Sequence, residues 1–482
     1  MLNEILVLAL LVSGGVSASW MLGVRSTLLA IPTGLLLATV ARILIFSTCN
    51  LFGFRQFATG IFYAAMAAAL VIAALKVRNG LYRPLIASFA ANLVAVFSTR
   101  VLGAAGTRHG DSYWILSVSH LMQNNGDMLI LDGHTPLKRG FAYPLLLALG
   151  PQDQTLTAVT PYIFFTLICA IAWVAWELVK NAPRNRVYFV GAALAAITVT
   201  APVTLRSIFY INGHTLLATA LVVAAGIGVL AVRDRSLSNS HLVALCAAVY
   251  VATSTRAEGV ALAAIVILPV IALRTLSRTR VAIVLSTLTG AFAIWQATYA
   301  SYLIPNGMPW FLFMAILVGA SVAVGAPWFD WFRFRAVPIG LIGLAVIFVG
   351  AEIKWHSAFD RGHKALFYNL VYNFDTHSLG SGGWGLLFVA LPLLLLLSAF
   401  SKKSVEFRSL LALSAMLVLG SLISKMLDGG QFGHPDLGRL GWSDSLNRMW
   451  IQSFGIFVIT VAIGLIQNER IWGRTGAKNK GE

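Results

Sequence analysis

Three short stretches carry side chains able to do chemistry in an otherwise apolar chain. Ser254-Thr255-Arg256-Ala257-Glu258-Gly259 sets a guanidinium two residues from a carboxylate at the mouth of an apolar run, and Trp442-Ser443-Asp444-Ser445-Leu446-Asn447-Arg448-Met449-Trp450 places an acid and a base before the last such run. Charges bordering hydrocarbon are costly and commonly mark a site. The third stretch, Gly106-Thr107-Arg108-His109-Gly110-Asp111-Ser112-Tyr113-Trp114, holds one carboxylate among aromatic neighbours. A carboxylate exposed at a lipid–water boundary suits a general base. Each stretch also has a purely structural reading. Asp111 with Ser112 would cap a helix, stabilising its first turn by about 1 kcal/mol. Arg256 would pair with Glu258, and Arg448 would snorkel to headgroups.

The elements that must hold these residues follow from hydropathy. The chain has 482 residues, 58% of them hydrophobic and 11% charged. Its apolar runs repeat at the length of about 20 residues that a helix needs to cross hydrocarbon. The expected fold is all-α, a polytopic transmembrane bundle of about fifteen helices near 2–22, 27–47, 57–75, 84–104, 156–178, 187–204, 213–232, 241–254, 258–273, 281–303, 310–327, 336–350, 384–400, 409–425 and 449–467. No Pro/Ser-rich linker interrupts it, so residues 1–482 are expected to form one membrane domain. The first run has neither a basic leader nor a small-residue cleavage site and reads as a retained helix.

The net charge of +17 orients this bundle. Lys and Arg recur in short clusters at every second connection, among them Lys180, Arg184 and Arg186; Arg233 and Arg235; Arg274, Arg278 and Arg280; and Arg333 and Arg335. That alternation is the positive-inside pattern and assigns these loops to the cytoplasm. No basic face interleaved with aromatics points to nucleic acid. The opposite face receives the large segments 105–155, 351–383 and 426–448 and eight of the nine histidines, including His109, His120, His134, His214 and His363. Trp114, Ile115, Val118, Leu121 and Met122 share one face at helical spacing, which predicts an amphipathic interfacial helix in the first large outer loop. The histidines are too scattered for a tight ligand grid, and solvated loop positions explain them as well. Cys49, Cys169 and Cys246 suggest neither a disulfide framework nor a metal site. There is no phosphate-binding Gly-rich loop, so ATP-driven transport on this chain is not expected.

Asp111 with its aromatic neighbours, Tyr143-Pro144-Leu145-Leu146-Leu147, Thr255-Arg256-x-Glu258-Gly259 and Asp444-Ser-Leu-Asn-Arg448-Met-Trp-Ile-Gln452 occur in one order and on one side. In that order they resemble polytopic membrane glycosyltransferases of the GT-C superfamily, over roughly residues 100–460. The resemblance implies an enzyme that takes a sugar from a polyprenyl-phosphate-linked donor and attaches it to a glycan or lipid acceptor outside the cytoplasm. It gives Asp111 the role of base. The family's large outer loop follows its first transmembrane helix, whereas about four helices precede it here.

The residue types suit that chemistry. An acceptor hydroxyl must lose its proton as the glycosidic bond forms, for which Asp111 and then Glu258 are the candidate bases. A departing polyprenyl phosphate gathers negative charge that arginine can hold through paired hydrogen bonds, making Arg256, Arg448 and Arg206 the candidate phosphate ligands. His109, Tyr113, Tyr143, His363 and Asp444 are the candidate substrate-binding residues. One base opposite one leaving group implies inversion at the anomeric carbon. No cofactor is required by the sequence, and a divalent cation shared between carboxylates and donor phosphate is left open. A bacterial inner membrane, with the site on its extracytoplasmic face, is the expected setting. The alternatives are a lipid-linked glycan polymerase or ligase, and a non-enzymatic flippase or transporter, which would carry ionisable groups near mid-membrane.

Overall fold

A computed structural model describes residues 2–76, 79–101, 110–123, 140–150, 158–200, 204, 208, 211, 213–303, 324–326, 328–354, 393–394, 396, 404–427 and 441–472. Among the described residues the regular structure is entirely helical. The helices are α1 (Leu2–Met21), α2 (Thr27–Leu51), α3 (Ala58–Lys76), α4 (Tyr82–Val101), α5 (Gly110–Gln123), α6 (Ala142–Leu147), α7 (Val159–Val179), α8 (Arg184–Thr200), α9 (His214–Asp234), α10 (Asn239–Thr255), α11 (Ala257–Ile271), α12 (Arg278–Leu303), α13 (Trp328–Arg333), α14 (Ala336–Lys354), α15 (Val405–Leu427), α16 (Gly441–Gln467) and α17 (Glu469–Trp472). They overlie the helices expected from hydropathy, apart from most of 310–327 and of 384–400, which lies outside the described residues. Five segments are long and apolar enough to cross a membrane: Thr27–Leu51, Arg55–Lys76, Val159–Val179, His214–Asp234 and Arg278–Thr298. The chain is thus built as a helical membrane protein.

Packing divides it into two compact units, one of residues 1–170 and 207–340, the other of 171–206 and 341–482. In the first, α9 is the core element. It is apolar all round, and every residue from His214 to Ala231 is buried, as expected of a helix surrounded by others. It packs on α10 and α11, while α10 also packs on α2 and α12. The outer helices carry exposed apolar rows instead, such as Ile86, Phe89, Val94 and Phe97 on α4. In the second unit α15 packs on α16 and α16 on α8. There Trp472 takes the edge of Phe189 and the guanidinium of Arg186.

At the end of the first unit that the sequence assigns to the cytoplasm, arginines tie the connections together. Arg280 donates to the Leu237 carbonyl (2.5 Å) and to Asn239 Oδ1 (2.9 Å). Arg333 is buried and donates to the Leu276 carbonyl at 3.2 Å. Asp330 accepts from Nε of Arg278 at 3.0 Å and also from its Nη2, and its other oxygen lies 3.1 Å from Nε of Arg333 without hydrogen-bond alignment.

The Arg278 hydrogen bond holds the Asp330 carboxyl below its ordinary value against the opposing cost of desolvation, with the attraction of Arg278 and Arg333 adding to it. A carboxylate with a depressed folded-state pKa stabilises the fold above the ordinary carboxylate range and loses that contribution as pH falls through the depressed value. Asp330→Asn is therefore expected to lower the unfolding temperature at neutral pH, and the gap to wild type to close below roughly pH 4. Thermal unfolding of both proteins across pH 3–7 measures it, and a gap independent of pH would refute the assignment.

Candidate functional site

The site is organised by a sharp reversal. Arg256 is a single extended residue, φ −156° and ψ 158°, between α10 and α11, and the two helices pack on each other. So short a connection forces the first turn of α11 against the last turn of α10. Gly259 makes this possible, since a Cβ there would overlap the Ala252 carbonyl. Glu258 falls in the first turn of α11, where the helix dipole favours an acid. Arg256 Nε donates to Glu258 Oε1 at 2.5 Å, and both side chains are mostly buried, at 17% and 8% exposed.

A second chain segment closes on this turn. Gly140 N–H donates to the Thr255 carbonyl at 3.0 Å, one of the α10 carbonyls that has no partner within its own helix. Only glycine fits, because a Cβ at 140 would overlap the Ser254 carbonyl. From Gly140 the chain enters α6, and residues 140–150 are buried throughout. The stretch read from sequence as part of an outer loop is here a packed element. Tyr143 is 1% exposed and shares a hydroxyl–hydroxyl hydrogen bond with Thr160. The Tyr143 motif and the Arg256–Glu258 motif are thus brought together through main-chain contact. Gly213, at the head of α9, lies beside the same turn: a Cβ there would stand 2.9 Å from the Thr255 methyl. Buried His214 follows it as the first residue of α9.

The far end of α6 is held from the membrane helices. Arg42 of α2, 1% exposed, points Nε at the Leu145 carbonyl (3.4 Å) and donates from Nη2 to Thr59 Oγ1 (3.1 Å). Its guanidinium carbon lies 5.8 Å from the Phe62 ring centroid. Tyr63 donates to the Leu149 carbonyl. Nη1 of Arg42 and the hydroxyl of Ser254 are buried with no hydrogen-bond partner among the described residues. Neither residue was singled out from sequence as a site residue. The signal for Arg42 was a lone arginine inside an apolar run, and for Ser254 none exists beyond its position beside Thr255.

The remaining expected residues divide by location. Asp111 is the second residue of α5, and Tyr113 follows on the same helix. Asp444 and Arg448 lie in the first turns of α16, in the second unit. The side chains of all four, and residues His109, Arg206 and His363 altogether, lie outside the described residues. The α5 helix expected from periodicity is present. Of the face read as apolar it buries Ile115, Val118 and Met122, with Leu121 half-buried; Ser119 is buried with them, and the helix packs on α6. The helix carrying Asp111 and the element braced against Arg256 are therefore neighbours. Among the described residues, no three His, Cys, Asp or Glu side chains gather as a metal site. Neither a protein-family model nor a curated protein nor a solved structure matches the chain.

Two outcomes follow from this geometry. Gly140→Ala is expected to destabilise the protein by about 1–3 kcal/mol through backbone displacement, whereas Gly60→Ala, with open space around it, leaves stability unchanged or raised. Unfolding in one detergent compares them, and equal effects would contradict the packing. Arg256→Gln strands a largely buried carboxylate and is expected to cost about 3 kcal/mol or more. Adding Glu258→Gln to that variant should recover most of the loss in the same assay.

Proposed function

We propose that this chain is a membrane glycosyltransferase that moves a sugar from a polyprenyl-phosphate-linked donor to an extracytoplasmic glycan or lipid acceptor. The observation that carries the reading is the Arg256–Glu258 turn, built at the head of two apolar helices and braced by the segment that contains Tyr143. The starts of α9 and α11 both lie at this turn, so the positive ends of two helix dipoles and a guanidinium share one small region. That combination favours a phosphate at the membrane boundary.

In this reading Arg256 holds the donor phosphate. The attacking hydroxyl gives its proton to Asp111 as its oxygen bonds the anomeric carbon, and the lipid phosphate leaves with the electron pair of the broken bond. Attack opposite the leaving group inverts the anomeric centre. Glu258, paired with Arg256, fits an orienting role better than that of the base. The extracytoplasmic face of a bacterial inner membrane is the proposed setting.

A second reading, a flippase for lipid-linked saccharides, has one observation in its favour. Arg42 is a buried cation nine residues before the end of α2, about 13 Å along the helix, and ionisable groups at membrane depth mark translocation pathways.

Transfer of radiolabelled sugar in membranes supplied with polyprenyl-phosphate sugars separates the two. Wild type is expected to transfer, and Asp111→Asn at matched protein level to transfer about 10²–10⁴-fold less while still binding donor. Undiminished transfer by Asp111→Asn would remove its role as base. No transfer by wild type, together with donor movement across vesicles that Arg42→Gln abolishes, would replace the enzyme with the flippase.

A further inference from the structure

The opposite end of the first unit carries a charge excess that the proposed reaction does not use. Its three connecting segments, 233–239, 274–280 and 328–335, contain seven arginines and two aspartates, a surplus of five positive charges. These segments form one patch. Thr275 donates to the Arg235 carbonyl at 2.6 Å, Arg280 reaches Leu237 and Asn239, and Arg278 and Arg333 meet at Asp330. The intervening sequence 304–327 contains no Asp or Glu, so it offers the patch no countercharge.

The arginines are also unequally employed. Arg280 and Arg333 bond main-chain carbonyls of neighbouring connections and so act as ties. Arg274 and Arg335 are exposed and lie over aromatic rings, Arg274 at 5.3 Å from the Phe334 centroid and Arg335 at 4.8 Å from that of Trp331, and Arg335 also donates from Nη1 to the Trp331 carbonyl of its own segment at 3.3 Å. Stacking holds a guanidinium by its face, and its N–H rim is where a phosphate oxygen is recognised. Beside them the short helix α13 exposes Trp328 (56%), Trp331 (59%) and Phe332 (40%). Large aromatics at the end of a membrane bundle settle at headgroup level. Cationic rims and apolar rings on one face match a ligand with an anionic head and an acyl tail, and a soluble phosphate would leave the rings in water.

We propose that α13 and the adjoining Arg274 and Arg335 form a binding site for an anionic phospholipid, which seats Trp328, Trp331 and Phe332 in the interface and answers the surplus charge with its phosphodiester. This site is independent of the glycosyltransferase reading.

The test is native mass spectrometry of the full-length purified protein, titrated separately with phosphatidylglycerol and phosphatidylcholine. Wild type is expected to retain phosphatidylglycerol preferentially. Arg274→Gln/Arg335→Gln should weaken that retention about thirtyfold, at about a factor of five per arginine. Arg184→Gln/Arg186→Gln, two arginines of the other unit, should leave it unchanged. Equal retention of the two lipids, or equal loss in both double variants, would overturn the proposal, as would glycerol phosphate competing as well as the lipid. Should the first variant fail to fold, quenching by brominated phosphatidylglycerol decides. Wild type should lose more tryptophan emission than Trp328→Phe/Trp331→Phe, and the same loss in both would refute the site.

Discussion

One main-chain hydrogen bond, from Gly140 N–H to the Thr255 carbonyl, joins the two halves of the candidate site, and the surrounding structure is arranged to keep it. In a low-dielectric interior an unpaired carbonyl costs several kcal/mol, so the end of a buried helix must find a donor. Here the donor comes from a segment more than a hundred residues away in sequence, and that segment must itself be paired. Arg42 and Tyr63 meet this need by turning side-chain donors onto the carbonyls of Leu145 and Leu149. The result is a series of hydrogen bonds that leads from the helices α2 and α3, through α6, to the turn at Arg256. Two glycines let the backbones approach closely enough for it to form.

The buried arginines of the first unit show different ways of housing a charge. Arg256 has a carboxylate beside it, so the pair is close to neutral as a whole. Arg333 lies near a carboxylate but directs Nη1 to a main-chain carbonyl, acting as a tie between connections. Arg42 is surrounded among the described residues by neutral acceptors and a ring face, which spread its charge without cancelling it. A guanidinium suits all of these because it is planar, has five donors and stays protonated.

Much of this was legible in the sequence. Hydropathy and length located the helices, because in hydrocarbon a chain must satisfy its own backbone and helix is the local solution. The Arg256–Glu258 pair was legible as the structural reading of that stretch, because opposite charges two residues apart at the mouth of an apolar run neutralise each other. The helix at Gly110–Gln123 followed from its spacing, although Ser119 faces the interior with Val118, which a hydrophobicity pattern does not foresee. What sequence did not reveal was the burial of residues 140–150. A short apolar stretch following a polar one fits a surface loop, an interfacial segment or a packed element equally well. The choice is made by tertiary contacts such as that of Arg42 with Leu145, 103 residues apart. Gly140 is likewise silent until the Ser254 carbonyl is seen facing it.

The single-residue connection between α10 and α11 also bears on how the two helices can move. With only Arg256 between them, and with Gly259 set so close to the Ala252 carbonyl that a Cβ would overlap it, neither helix can slide along the other without dragging the turn with it. A displacement of α10 therefore reaches the Arg256–Glu258 pair directly, and the paired charges shift together as one rigid corner of the hairpin.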